Sequence, residues 1–492
     1  MLYSSILGKF EGFYGLLKTK PILIIILASL IVQAIYFIRI QSVYPSYGLT
    51  TEHYYSPIAI NLLNHGEFAA GEYPNLEKDT KRPPLYTVFV AAIYGLFRQS
   101  EEIALIFNNL FHILTIWTTY LIGRRINKNI GLIAAILFAI DPIGIINANK
   151  NQAESMYGFL FALFFLSSLS IFSKNVTVKK IGICSVLLGL ATLTRAPSLY
   201  LIFPLSLAFF IAHKWYIKSL TNFKIVQMTI VLVLIQGVLI GSWMTRNYIV
   251  SGNPDFAGMS AIHLHGYFAS LIIGKVEGIS YREAKQKLKL ELKNDKVYNN
   301  LVETGAKQKY EIQKALQVIF NHPIHTSTII IQQIPVIFIN YPLNSATVFL
   351  SSNQREKLER FTTTYIQRKS NRLDISGYLD IIKFYFNNGL SLILIHGAAY
   401  KIFYSLFMLG GAVGTIAFLS NPQTRSVGIL YLVVIMYLVL IYATWPSGRL
   451  RISLIPIYAI PAAVCFYNAY KILYLDMSMK LLGRFRKKIL SL

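Results

Sequence analysis

Acidic residues are scarce in this sequence: 22 Asp and Glu stand against 47 Lys and Arg, and charged residues of both signs make up only 14%. Soluble domains carry about 25% charged residues, so most of this chain lacks the means to cover itself with a water-facing surface. Cysteine is nearly missing. The two present, Cys184 and Cys465, both fall in apolar runs, which argues against a disulfide framework and against a cysteine-based metal cluster. There is no phosphate-cradling glycine loop, Walker sequence or dinucleotide fingerprint, which argues against an ATP-driven pump. No small-residue cleavage pattern follows the first apolar run, so the basic segment before it reads as the lead-in to an uncleaved first helix.

What fills the chain instead is apolar sequence. Of its 492 residues 54% are hydrophobic, and runs such as 21–37, 130–140 and 225–239 are too apolar for a solvated surface. The 32 Tyr and 31 Phe supply aromatics for belts at a membrane interface. The fold class expected is an all-α polytopic membrane protein. Segments long enough to cross run approximately over 21–40, 103–123, 130–146, 155–173, 181–195, 197–213, 225–245, 398–419, 426–444 and 450–472.

The formal charge of +25 resembles a nucleic-acid signal, but its distribution does not. Most cations sit at the ends of the apolar segments, where they anchor topology, so no nucleic acid is expected as a partner. The groups are Lys9, Lys18 and Lys20; Arg124, Arg125 and Lys128; Lys174, Lys179 and Lys180; Lys214, Lys218 and Lys224; and a tail with Lys480, Arg484, Arg486, Lys487 and Lys488. With ten spans all of them fall on one side, which the positive-inside rule makes cytoplasmic, together with both termini.

Three regions follow. Residues 1–245 form an N-terminal transmembrane module with a first outer loop at 41–102; 246–397 form an extracytoplasmic loop region; 398–492 hold the last spans and the basic tail. The loop region contains a polar helical stretch at 281–314 and a basic stretch at 355–372. It also contains an apolar run at 329–349 broken by Pro335 and Pro342, read as an interfacial or re-entrant helix or as two further spans. The span count is therefore ten to twelve.

Charges at membrane depth are costly and mark function by default. Glu52, Lys81, Arg82, Glu154, Arg195, Arg246, Arg449 and Arg451 all land on the outer side, with Asp141 in the outer part of its span. Outer arginines run against the usual bias and call for an anionic partner, either these acids or a ligand. Phosphate suits arginine, whose planar fork donates two parallel hydrogen bonds. In the first loop, Glu52-His53-Tyr54-Tyr55 opens a helical stretch at 56–63, stopped by Asn64-His65-Gly66. Lys81-Arg82-Pro83-Pro84-Leu85-Tyr86 starts another apolar helix with proline in its first turn. A carboxylate and a cation pair above the bilayer serve either as base and phosphate clamp or as surface acid and basic anchor.

The order Pro83-Pro84-Leu85-Tyr86, Gly123-Arg124-Arg125, Asp141-Pro142 and Glu154-Ser155 resembles the central region of the glycosyltransferase-C superfamily. The nearest branches are the dolichyl-phosphate-mannose protein mannosyltransferases, the lipid A aminoarabinose transferases and the RgtA-type enzymes. Leu193-Thr194-Arg195-Ala196-Pro197, the run 242–248 and Gly448-Arg449-Leu450-Arg451 before Pro456 extend the likeness. It covers the first seven segments and the last, but little of 246–397.

The resemblance implies a helical bundle of the superfamily's type, a polyprenyl-phosphate sugar donor, and a lipid, glycan or protein acceptor outside the cytoplasm. It implies a loop carboxylate as base, with Lys81 and Arg82, joined by Arg246 and Arg449, on the donor phosphate. In these families the acid lies four residues before the tyrosine that opens the loop helix. Counting back from Tyr55 reaches Thr51, and the acid here is Glu52, one residue later. Tyr55, Tyr86, Asp79, Asp141, Glu154, Arg195 and Arg451 complete the candidate set, Asp79 and Glu154 being alternative bases. One displacement without a covalent intermediate would invert the anomeric carbon. No cofactor is expected.

Other readings stay open. A transporter or flippase of lipid-linked anions would use the same arginines, although no inverted repeats are evident and the charges crowd one face. A non-catalytic scaffold would accommodate the displaced acid. His263 and His265, two apart, would need a carboxylate to make a metal site; His322 and His325 flank Pro323 and fit interfacial packing; Asp141 before Pro142 also fits a helix-end cap. The sequon at 175–177 falls on the cytoplasmic side.

Overall fold

The computed structural model describes residues 20–43, 55–302, 304–340, 347–361, 375–445 and 448–489. Among these, the only sheet is a two-stranded antiparallel hairpin, Ala69–Ala70 with Glu77–Lys78; the other regular elements are helices. The protein is an all-helical polytopic membrane protein. Seven helices are long and apolar enough to cross a bilayer: Pro21–Val43, Glu101–Arg124, Glu154–Ile171, Ala196–Ile217, Asn222–Ser251, Ser391–Ser420 and Arg425–Ala443.

An eighth crossing is formed if Lys128–Ala139 and Pro142–Ala148, bent by 62° at Asp141, are taken as one. The break is legible locally. Pro142 cannot donate into the preceding turn, and Asp141 caps the new helix by accepting the Gly144 N–H at 3.3 Å.

By length and apolarity the described residues thus give seven or eight crossings where the sequence reading expected ten to twelve. The step from eight to ten lies in two helices packed within the same bundle. Val178–Thr194 is 17 residues long, and Ile455–Ile489 carries Asn468 and Lys471 beside its apolar turns. The apolar run at 329–349 is one helix through Ile339, Pro323–Ile339, with Pro335 inside it; Pro342 lies outside the described residues. The polar stretch 281–314 is three helices, Tyr281–Asn294, Lys296–Asn300 and Thr304–Asn321. The first is started by a capping box between Ser280 and Glu283. Of the basic stretch, Ser352–Phe361 is helical and 362–374 lie outside the described residues.

Two devices hold the bundle. The first is close approach: Ser391–Ser420 packs along Ile455–Ile489, and a Cβ at Gly414 would overlap the Pro461 carbonyl. Small residues let helix backbones meet where lipid offers no hydrophobic drive. The second is a buried ion pair. Arg451 and Asp141, both fully buried, meet at 2.5 Å. Tyr404 donates to the same carboxylate at 2.7 Å, and Arg451 also donates to the Phe338 carbonyl and the Tyr400 hydroxyl. One guanidinium thus ties four chain segments together.

Removing one partner of such a pair strands a buried charge, at a cost of about 3–5 kcal/mol. Asp141→Ala is expected to lower the thermal unfolding midpoint of the detergent-solubilised protein sharply, and the double change Asp141→Leu/Arg451→Met to recover most of the loss. Gly414→Ala is expected to reduce the folded fraction by size-exclusion chromatography, whereas alanine at Gly237, where a Cβ meets nothing within 4 Å, is not.

Candidate active site

Helix ends from both halves of the chain converge on one cleft of about 410 Å3. Tyr55 begins the helix Tyr55–His65, Glu154 begins Glu154–Ile171, Arg195 follows the last residue of Val178–Thr194, and Arg449 sits in the tight turn Gly448–Ile452. Lys81 and Arg82 stand just before Pro84–Leu96. Of the sequence-derived candidates, the cleft therefore gathers Tyr55, Lys81, Arg82, Glu154, Arg195 and Arg449.

The loop that presents Lys81 and Arg82 is rigid for local reasons. Pro83 caps the following helix in extended conformation and Pro84 takes its first turn, so the two cations stay off the helix. The Asp79 carboxylate accepts the backbone N–H groups of Lys81 and Arg82, each at 3.0 Å, and pairs with the Arg82 guanidinium at 2.6 Å. Asp79 is thereby occupied as a turn anchor. Arg246 acts on the same loop from behind: its guanidinium donates to the carbonyls of Asp79 at 2.6 Å and Phe68 at 3.1 Å, and lies over the Trp243 ring. It does not line the cleft.

On the opposite side a carboxylate meets two arginines. Glu154 pairs with Arg195 at 2.7 Å and lies 3.7 Å from the Arg449 Nε. Its place in the first turn of its helix suits a negative charge, since the N-terminal end of the helix dipole is positive. The Arg82 guanidinium lies 5.8 Å from the Tyr55 ring centre, at cation–π distance. Tyr55 meets Tyr86 edge-to-face at 4.9 Å. Burial, then the charge of Glu154, holds the Tyr55 phenol above its usual range, so it stays protonated.

Beneath Tyr55 runs a polar network. Ser56 bonds Tyr94 at 2.8 Å and accepts from Asn151 at 2.6 Å, and Tyr86 donates to Asn151 at 2.8 Å while accepting from Asn108 at 2.8 Å. Tyr86 is thus a buried support of the cleft wall and not part of its lining. Asp141 and Arg451 belong to the buried bundle pair and lie outside the cleft. Glu52 falls outside the described residues.

The cleft also contains residues that the sequence reading did not assign to it. Trp445 stacks on His263 at 4.5 Å and meets Tyr267 edge-on at 4.8 Å. Tyr437 closes the floor by donating to the Pro197 carbonyl at 2.8 Å. A signal for Trp445 existed: it is one of four tryptophans and stands four residues before Arg449. His263 and His265 part company, the first lining the cleft and the second buried under the charges of Glu311, Glu291 and Lys314. No cluster of three or more potential metal-binding side chains occurs among the described residues.

Residues 81–243 match the family model described as Dolichyl-phosphate-mannose-protein mannosyltransferase. That segment carries Lys81, Arg82, Glu154 and Arg195 and supplies ten of the 23 residues that line the cleft, and over it the chain resembles that family. An uncharacterised protein of Aquifex aeolicus (strain VF5) is 28% identical over 236 residues, 47% of this chain and 44% of that protein. Among solved structures, the archaeal oligosaccharyltransferase AglB from Archaeoglobus fulgidus is similar with a TM-score of 0.47 at 12% identity, covering 95% of this chain and 52% of that one. ArnT from Cupriavidus metallidurans bound to undecaprenyl phosphate gives 0.40 at 15% identity, over 89% and 78%. The chain thus spans about half the length of the oligosaccharyltransferase and of the Aquifex protein.

Because Arg246 holds the loop by its carbonyls, Arg246→Met is expected to loosen residues 67–82. Buried acceptors left unpaired cost about 1–3 kcal/mol each, so amide exchange across the loop, read by hydrogen–deuterium exchange, is expected to quicken about tenfold or more. Exchange within Glu101–Arg124 is expected to stay as it is.

Proposed function

We propose that this protein transfers a sugar from a polyprenyl-phosphate donor to an acceptor on the extracytoplasmic face of its membrane. The observation that carries the reading is the grouping of Lys81, Arg82, Arg195 and Arg449 around one cleft at the ends of membrane helices. The family match over 81–243 supports a glycosyltransferase, and two of the solved structures similar to this chain hold dolichol phosphate or undecaprenyl phosphate.

The chemistry asked of the cleft is modest and well matched to its residues. Leaving of the prenyl phosphate places charge on phosphate oxygens, which Lys81, Arg82 and Arg449 stabilise without reorganising. Arg82 is held in place by Asp79, so its charge is aimed before substrate arrives. The acceptor hydroxyl attacks the anomeric carbon as the prenyl phosphate departs, its proton passing to Glu52. Glu52 precedes Tyr55, a cleft residue, by three positions. The lipid chain remains among the helices while its head group enters the cleft, which is the reason for a transferase to sit in a membrane. The cleft's side of the bilayer, and both termini on the other, follow the distribution of basic groups; the membrane is proposed to be a prokaryotic inner membrane, and the acceptor an envelope lipid, glycan or protein.

The deciding experiment offers purified full-length protein a panel of radiolabelled polyprenyl-phosphate sugars with membrane-lipid and glycan extracts. Glu52→Gln is expected to cut transfer by about 10²–10⁴, the range of a lost general base. Lys81→Ala/Arg82→Ala is expected to cut it by about 10²–10³ or more, as for lost charge stabilisation. Transfer that survives Glu52→Gln would move the base to Glu154, the one carboxylate among the described residues that line the cleft. Since no metal is assigned a part, activity is expected to persist in chelator. Donor binding without transfer, on every donor and extract, would overturn the enzyme in favour of a carrier.

A further inference from the structure

His263 takes no part in the transfer as described, although it lines the cleft with Arg195 and Arg449. Its ring lies against the Trp445 indole with centroids 4.5 Å apart and planes 28° from parallel. Trp445 is fixed in turn by the edge contact with Tyr267. The imidazole is therefore held in one orientation among cations, an odd place for a group that can itself become one. Resting on the phosphate reading above, we propose that His263 is an anion ligand of the cleft, neutral while the cleft is empty and protonated when a phosphate-bearing head group is bound, donating a ring N–H to a phosphate oxygen.

The surroundings give this its sign. Burial, then the charges of Arg195 and Arg449, push the His263 pKa down to about 4. Glu154, paired with Arg195 and near Arg449, neutralises part of that field, and Lys81, Arg82, Tyr55, Tyr200, Tyr437 and Tyr442 complete the cleft's titratable lining among the described residues. Thr304–Asn321, packed against the short helix of His263, brings Lys307, Lys309, Tyr310, Glu311 and Lys314; Glu311 and Lys314 act on His265. From the neighbouring turn come His265 itself, Tyr267 and, against Tyr267, Tyr281. An anion seated on Arg195 and Arg449 cancels the two charges that keep His263 neutral and adds one that favours the imidazolium. The folded-state pKa then rises on binding, a proton is taken from solvent, and affinity must increase as pH falls between the empty and occupied values. The chain holds 9 histidines, so the pH slope has to be assigned by substitution.

The test uses sulfate, whose charge is constant through the window, on purified full-length protein in lipid nanodiscs. Wild type is expected to bind it more tightly as pH falls from 7.5 to 5.5, with a slope of at most about tenfold per pH unit for one proton. Calorimetry in buffers of different ionisation enthalpy is expected to show proton uptake. His263→Gln is expected to bind with a flatter pH profile and without that uptake. Trp445→Phe, which leaves His263 in place, is expected to keep the slope and lose a fluorescence quench that accompanies binding, because the stacked imidazolium quenches the indole. A wild-type profile flat with pH, or a slope unchanged in His263→Gln, overturns the proposal for His263. Failure of wild type to bind either sulfate or a prenyl phosphate at any pH overturns the phosphate reading itself.

Discussion

The Asp141–Arg451 pair is the interaction on which the rest of the structure depends. Neither charge is tolerable alone in the interior of a membrane bundle, and each removes the other's penalty only if they meet with good geometry and their remaining hydrogen-bonding groups find partners. Tyr400, Tyr404, Gly144 and the Phe338 carbonyl supply partners for all of these but the Arg451 Nε, which has none among the described residues. The consequence is positional. The turn Gly448–Ile452 is held against the break after Lys128–Ala139, and the residue two before Arg451 is Arg449, whose guanidinium is thereby presented to Glu154. A charge pair in the bundle fixes a charge in the cleft.

The cleft repeats the same logic in a wetter place. Asp79 is spent on aligning Lys81 and Arg82, and Glu154 on holding Arg195 with Arg449 nearby. Among the described residues each acid is outnumbered by cations, so the cleft keeps an excess of positive charge that suits the proposed phosphate. Aromatic rings line the remainder: Tyr55 beside Arg82, and Trp445 against His263. This arrangement of fixed donors beside flat apolar rings suits the proposed head group, anionic at one end and a sugar at the other.

Much of this was legible in the primary structure. Proline placement marked the helix beginning at Pro84 and left a helix-end cap at Asp141 open within 130–146, read as one span, and Asn64-His65-Gly66 marked the end of the first loop helix, where Gly66 takes a φ of 70°. The cations near the span ends were identified because charge is rare in so apolar a chain. Their separate duties were not legible. Arg246 and Arg82 look alike in sequence, yet one clamps loop carbonyls and the other faces the cleft; Arg449 and Arg451 differ by two positions, yet one is part-exposed and the other wholly buried.

What the sequence determined by itself is the phase each segment occupies, because apolar runs and the charges at their ends fix which parts partition into lipid and which stay at its face. Local capping and proline chemistry likewise determined where several helices start and stop. Only the tertiary structure decided which acid meets which cation. Asp141 and Arg451 are separated by 310 positions in the chain, and Arg246 and the Asp79 carbonyl by 167. Pairing over such distances is set by how helices pack and rotate against one another, and a one-dimensional pattern carries no record of that rotation.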